Sequence, residues 1–62
     1  MRLCDVKLGM SVRVVQRYEL TPRVGEVGLV DGFWEESLVV VRFPDGQTME
    51  YDPEELDPVD WQ

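Results

Sequence analysis

The apolar segment at residues 38–43 and the Pro-Asp-Gly turn that follows it constrain this fold more than any other feature. The segment reads LVVVRF, and residues 47–51 (QTMEY) alternate in character along the chain. A Pro-Asp-Gly sequence between two such runs is typical of a tight β-hairpin and predicts a positive φ at Gly46. Because both faces of residues 38–43 are apolar, we expect this strand to lie inside a sheet rather than at its edge.

Two earlier runs also predict strands. Residues 11–17 (SVRVVQR) are rich in β-branched side chains and partly alternate. Residues 24–31 (VGEVGLVD) place Val27 and Leu29 on one face, and a glutamate and a glycine on the other. Two glycines inside a strand indicate a bend, a bulge or the close approach of another backbone. We therefore expect this second strand to be strongly curved.

The residues after the hairpin predict a single helical turn. Asp52 supplies a capping oxygen, Pro53 suits the first helical position, and Glu55 stands at the capping-box position. A second proline at position 58 limits this helix to one turn, of the 3₁₀ type. Residues 59–61 then predict a short fifth strand, in which Trp61 would pack against the core.

Composition bounds the chemistry available to this chain. Its 62 residues predict a single domain spanning 1–62, with a core of about 8–60, that buries roughly 60% of its unfolded surface. The absence of histidine and the lone Cys4 exclude a zinc site and an internal disulfide. The acids of residues 52–60 do not follow the EF-hand spacing for calcium. We expect no metal, no cofactor and no catalytic residues, in a protein of the reducing cytoplasm. No apolar run is long enough to cross a membrane.

Five short strands, tight turns and a 3₁₀ turn before the last strand predict an all-β fold, a small barrel whose closure removes exposed edges. Its layout is carried by glycines and apolar residues at Gly9-x-x-Val12-x-Val14, Val24-Gly25-x-Val27-Gly28-x-Val30, Val39-Val40-Val41-Arg42-Phe43, Asp45-Gly46 and Leu56. With these positions, residues 8–60 resemble a bacterial SH3-like module. The layout is similar to the E-type barrel family of photosystem I, the ferredoxin–thioredoxin reductase variable chain and the KOW-type barrels. The resemblance implies a five-stranded SH3-like barrel and no particular activity.

The resemblance also bears on ligands. The Ala-Leu-Tyr-Asp-Tyr run of eukaryotic signalling SH3 domains is absent, so we do not expect binding of proline-rich peptides. The type II dihydrofolate reductases build one active site from four SH3-like barrels. Their Val-Gln-Ile-Tyr motif would fall near residues 48–51, which read Thr-Met-Glu-Tyr here. An enzyme assembled by oligomerisation is therefore a weaker alternative than a binding protein.

The net charge of -7 is concentrated in the second half of the chain. Residues 1–30 carry five basic and three acidic residues, a balance of +2, whereas residues 31–62 carry ten acidic residues and one basic residue, a balance of -9. Binding to nucleic acid requires lysine and arginine against the phosphates, and this balance opposes it. Two alternatives stay open: a local cluster of Arg13, Arg17 and Arg23 that contacts nucleic acid, and an acidic surface that mimics it.

Aromatic and acidic side chains adjoin one another in the predicted loop between the second and third strands: Phe33, Trp34, Glu35 and Glu36. Two adjacent large aromatics on a loop cannot both enter a thin core, so we expect at least one to be exposed. An exposed indole supplies a hot-spot contact, and neighbouring carboxylates attract arginine or lysine. Tyr18 and Tyr51 are predicted to line the same groove. The alternative is that Trp34 folds over one end of the core and caps it.

The sequence therefore predicts a non-enzymatic module or small accessory or regulatory subunit. Its partner would be a protein with a basic or mixed surface, without a role for membranes. The apolar second face of the third strand, at Leu38 and Val40, leaves a homodimer as a further alternative.

Overall fold

A computed structural model describes residues 2–59 as an all-β fold, with five antiparallel strands in one sheet. The elements are β1 (Ser11–Val14), β2 (Val27–Trp34), β3 (Leu38–Arg42), β4 (Thr48–Tyr51) and β5 (Leu56–Pro58), with 3₁₀ turns at Leu3–Asp5 and Pro53–Glu55. The strand order is β4-β3-β2-β1-β5. The predicted all-β class and the 3₁₀ turn before the last strand are confirmed. Closure into a barrel is not, because β4 and β5 remain the edges of the sheet within residues 2–59.

Neither short helical turn in residues 2–59 has the length and apolar character that crossing a membrane requires.

The core lies on one face of the curved sheet and is built from alternating positions of the strands. Its fully buried side chains are Val12, Val14, Val39, Val41, Phe43, Tyr51 and Leu56. The rings of Phe43 and Tyr51 meet edge to face, with their centroids 6.2 Å apart. Aromatic pairs prefer this geometry because the positive edge of one ring faces the negative face of the other.

The predicted hairpin between β3 and β4 is confirmed. The backbone N–H of Phe43 donates to the carbonyl of Gln47 at 2.8 Å, and the N–H of Gly46 donates to the carbonyl of Phe43 at 2.9 Å. Gly46 has a φ of 90°, as the turn requires. The carboxylate of Asp45 accepts a further bond from the N–H of Gln47 at 3.0 Å.

The second strand differs from its prediction in the face that it buries. The sequence groups Val27 with Leu29, but the structure buries Gly28 and Val30 and leaves Leu29 half-exposed. A Cβ on Gly28 would lie 2.6 Å from Cγ1 of Val41. The backbone of β2 therefore packs directly onto β3 at this glycine, and the buried row passes through it.

The second strand is also longer than predicted. It continues three residues beyond position 31 and ends at Trp34. The pairing with β3 shifts by one residue between Val30 and Gly32, which makes Asp31 the extra residue of a β-bulge. The bulge bends the strand and lets pairing continue, so Phe33 and Trp34 lie in β2 and not in a loop as predicted.

The last strand begins earlier than predicted. We expected it at residues 59–61, but β5 spans Leu56–Pro58, directly after the 3₁₀ turn. Leu56 is fully buried and stands opposite Val14 in the pairing with β1, which fixes this register. The predicted packing of Trp61 lies outside the described residues.

The connection between β1 and β2, at residues 15–26, is tied to the far side of the sheet. The hydroxyl of Tyr51 donates to the carbonyl of Pro22 at 2.8 Å, and the hydroxyl of Thr21 donates to Glu55 Oε2 at 2.8 Å. Glu55 Oε1 in turn accepts the backbone N–H of Asp52, which completes the predicted capping box. These bonds fasten the long loop to the strand edge at β4 and to the 3₁₀ turn.

Arg23 forms a second set of contacts that hold the same loop, residues 15–26, in place. Its guanidinium lies 4.0 Å from the ring centroid of Phe43 and pairs with Glu26 at 2.8 Å and Asp45 at 3.0 Å. The hydrogen bond from Arg23 lowers the pKa of Glu26. The bond from the N–H of Gln47, followed by those from Arg23, lowers the pKa of Asp45. The loop is thereby held against the β3–β4 turn.

Candidate functional site

The tip of the β2–β3 hairpin carries the predicted site residues, and we call Phe33, Trp34, Glu35 and Glu36 the hairpin surface. Glu35 and Glu36 have φ values of 52° and 64°. The backbone N–H of Ser37 donates to the carbonyl of Trp34 at 3.3 Å. Positive φ at both central positions is the geometry of a type I′ turn, which favours Asn-Gly. Glutamate at these two positions costs backbone strain.

Both aromatic side chains of the hairpin surface are exposed, Phe33 by 44% and Trp34 by 53%. Phe33 stands opposite Val39, and Trp34 stands opposite Leu38, so β-pairing fixes their positions. With more than half of its surface accessible, Trp34 does not cap the core. The alternative of a capping indole is therefore wrong.

The carboxylates at the tip are not neutralised by the described part of the chain. Within residues 2–59, neither Glu35 nor Glu36 forms an ion pair, and Glu50 on β4 also lacks one. The nearest ion pair on these strands joins Arg42 to Asp31 at 3.4 Å between exposed side chains. Within residues 2–59, Trp34 is therefore followed directly by two carboxylates whose negative charge no ion pair compensates.

The two tyrosines predicted to line the same groove do not join this surface. Tyr51 is 1% exposed, its hydroxyl is bonded to the loop, and burial raises its pKa. Its assignment as a binding residue is wrong because its alternating position in β4 points into the core. Tyr18 is exposed, but its hydroxyl donates to Glu54 at 3.5 Å, beside the second 3₁₀ turn. Tyr18 lies in the loop before the first residue of β2, whereas the hairpin surface lies at the last residues of β2 and the turn that follows them.

The three arginines considered as a basic cluster are each placed against acidic residues. Arg17 pairs with Glu54 at 3.5 Å, and Arg13 stands opposite Asp57 in the pairing of β1 with β5. Arg23 is held at the β3–β4 turn, as described above. These arginines therefore do not form one uncompensated basic patch.

A cavity of about 590 Å³ opens near the start of β2, away from the hairpin surface. It is lined by Val27, Gly28, Leu29, Arg42, Phe43, Pro44 and Gly46. Arg42 is the only ionisable side chain among these residues, so the cavity holds no acid–base pair of the kind that catalysis uses.

The sequence did not predict that Trp34 lies next to the outer, solvent-facing side of β3. Leu38 and Val40 are half-buried on that face, and Gly32 stands between Trp34 and Leu29 along β2. Alternation along residues 38–42 indicates the face itself. The bulge at Asp31 concealed which residues of β2 share it.

Within residues 2–59, no three acidic or cysteine side chains come close enough together to hold a metal ion. Comparison of the chain with protein-family models, with curated proteins and with solved structures gave no match.

Proposed function

We propose that this chain is a non-enzymatic, SH3-like barrel module that binds another protein through the hairpin surface. The observation that carries the proposal is the exposed indole of Trp34 directly beside Glu35 and Glu36, whose carboxylates form no ion pair within residues 2–59. Exposed tryptophan is strongly enriched among residues that dominate binding energy. Its position on a paired strand lowers the entropy that ordering would cost on binding.

The strained turn supports a role beyond folding. Asn-Gly would satisfy the positive φ at positions 35 and 36 with less strain than two glutamates do. Strained residues that persist in a fold cluster at functional sites. We therefore infer that Glu35 and Glu36 occupy the turn because their carboxylates attract a basic partner.

Charge indicates the class of partner. The hairpin surface belongs to a chain of net charge -7, and Glu50 adds a further carboxylate on the neighbouring strand. Such a field accelerates encounter with a basic surface and repels nucleic acid and other acidic proteins. The partner is accordingly a protein with a basic or mixed surface, in a cytoplasm whose reducing conditions suit the free, exposed Cys4.

The barrel assignment draws support from three features of the sheet. The strand order is β4-β3-β2-β1-β5, the 3₁₀ turn Pro53–Glu55 separates the last two strands, and residues 15–26 are bonded to both β4 and that turn. These features support the assignment, because a long first loop, a tight hairpin and a 3₁₀ turn before the last strand follow one another in the same order in SH3-like barrels.

Affinity capture with a matched control tests the proposal. Three immobilised baits are compared in a lysate of the source cells: wild type, Trp34→Ala/Glu35→Lys, and Glu19→Lys/Leu20→Ala. The control pair makes the same kinds of change at exposed residues of the β1–β2 loop. We expect a protein that wild type and control retain and the hairpin variant loses, with all three baits folded by circular dichroism. Identical retained proteins on all three would rule out the hairpin surface.

A further inference from the structure

The outer face of the sheet has an open space at Gly32. Gly32 stands opposite Val40, whose neighbours Val39 and Val41 are buried, so Gly32 and Val40 share the solvent-facing side. A Cβ placed on Gly32 would have no atom within 4 Å. The indole of Trp34, two residues further along the strand, therefore does not cover this position.

The surroundings of Gly32 combine apolar surface with negative charge. Trp34 and Leu38 stand opposite one another beyond it, and Val40 lies across from it. On the next strand Glu50 stands opposite Val40. We call the space bounded by Trp34, Val40 and Glu50 the Gly32 slot.

The charge around the slot selects among possible occupants. Strands β2 to β4 and the hairpin tip carry Asp31, Glu35, Glu36 and Glu50 against the guanidinium of Arg42. A second copy of this chain would bring the same carboxylates and would be repelled. A cation is attracted, and an exposed indole next to open space offers a ring on which a cation can stack.

We propose that the Gly32 slot receives an arginine side chain of the partner protein, with its guanidinium stacked on the indole of Trp34 and its aliphatic stem on Val40. The inference rests on the proposed function and names the group that the partner presents. Arginine suits the slot better than lysine because its planar, weakly hydrated head stacks on aromatic rings and forks toward carboxylates. The rim carboxylates of Glu35 and Glu50 supply the charge.

The test uses a small probe, N-acetyl-arginine N-methylamide, titrated into the ¹⁵N-labelled full chain at physiological ionic strength. Its lysine and citrulline counterparts serve as comparisons, citrulline being the neutral analogue of arginine. We expect saturable shifts of the Trp34 indole N–H and the Val40 amide with arginine, weaker shifts with lysine and none with citrulline. Equal shifts with citrulline would overturn the proposal.

A glycine variant separates the slot from the rest of the hairpin surface. Gly32→Val places a side chain in the slot, its Cβ meets no atom within 4 Å and the position has no positive φ, so the fold is expected to persist. Binding of the arginine probe should weaken by about tenfold. Thr48→Val is the control, since it adds a valine to the same face of the sheet, opposite Arg42 and one cross-strand row further from Trp34 than Glu50 is. It should bind as wild type does.

The outcomes for the two proposals differ. If Gly32→Val binds the probe and retains the cellular partner as wild type does, while Trp34→Ala/Glu35→Lys loses that partner, the slot is wrong and the hairpin surface stands. If the hairpin variant also retains the partner, the proposed function is wrong as well.

Discussion

Single residues account for much of how this small sheet is held together. Arg23 is a non-glycine residue with a φ of 58°, and its guanidinium stacks on Phe43 while pairing with Glu26 and Asp45. From the sequence, Arg23 was predicted only as one member of a possible basic cluster with Arg13 and Arg17. Local sequence patterns do not predict this role. Asp45 is 22 residues away and is brought close only by the fold, and the pairing with Glu26 depends on a loop in which Arg23 has a positive φ.

The Arg23 contacts make a pH-dependent contribution to stability. Glu26 and Asp45 have lowered pKa values in the folded state. Their contribution is therefore complete above the ordinary carboxyl pKa and is lost as the pH falls through the lowered values. We expect Arg23→Gln to be less stable than wild type at neutral pH, with the difference narrowing as the pH falls toward about 2. Urea unfolding across this range measures it, and a difference that stays constant with pH would show that the ion pairs contribute nothing.

Two glycines allow a direct test of backbone strain. Gly46 has a φ of 90°, whereas Gly32 lies in β2 without a positive φ, and a Cβ there would meet no atom within 4 Å. Gly46→Val is expected to destabilise the fold by roughly 1–3 kcal/mol, because a β-branched side chain disfavours positive φ. Gly32→Val should change stability by less than about 0.5 kcal/mol. Equal melting temperatures for the two variants would contradict the turn geometry.

At the scale of elements, the two hairpins show what the sequence can and cannot reveal. Pro-Asp-Gly at 44–46 predicted the β3–β4 turn because its residues meet the turn's φ requirements. The β2–β3 turn could not be predicted in the same way, since Glu35 and Glu36 are atypical for it. The bulge at Asp31 likewise has no local signature, and it extended β2 into what the pattern suggested was a loop.

We expect the glutamates of the β2–β3 turn to lower the stability of the fold while they strengthen binding of the partner. Glu35→Asn/Glu36→Gly supplies the residues that a type I′ turn prefers, so it should stabilise the fold by about 1–2 kcal/mol. The same change removes two carboxylates and should weaken retention of the partner. Chemical unfolding and affinity capture with the same variant measure both effects. A variant that is less stable, or that retains its partner fully, would contradict this account of the turn.

At the scale of the whole molecule, folding redistributes the charge asymmetry of the sequence. The basic residues of the first half meet acids of the second, as Arg17 does with Glu54 and Arg23 does with Asp45. Arg13 stands opposite Asp57 in the pairing of β1 with β5. Within residues 2–59, the carboxylates that keep no ion pair include Glu35 and Glu36 at the β2–β3 turn and Glu50 on β4. The charge difference between the two halves of the sequence predicted an acidic face. The folded structure is needed to show which of its carboxylates have no ion pair within residues 2–59.

The starts of β1 and β3, the position of β4 and much of the core could be predicted from the sequence, because valine alternation and turn residues determine them locally. The faces of β2 and the inward position of Tyr51 were not. The first depends on the packing of Gly28 against Val41, and the second on the register of β4 with β3. Both are contacts between residues distant in the chain.

The stability of Trp34→Ala tests the central structural claim most directly, namely that this indole projects from the sheet and is not part of the core. Urea unfolding of the variant should give a free energy of unfolding within about 1 kcal/mol of wild type, because truncation removes only a half-exposed side chain and one cross-strand contact. A loss of about 3 kcal/mol or more, as expected for a buried tryptophan, would show that Trp34 caps the core and would contradict the account.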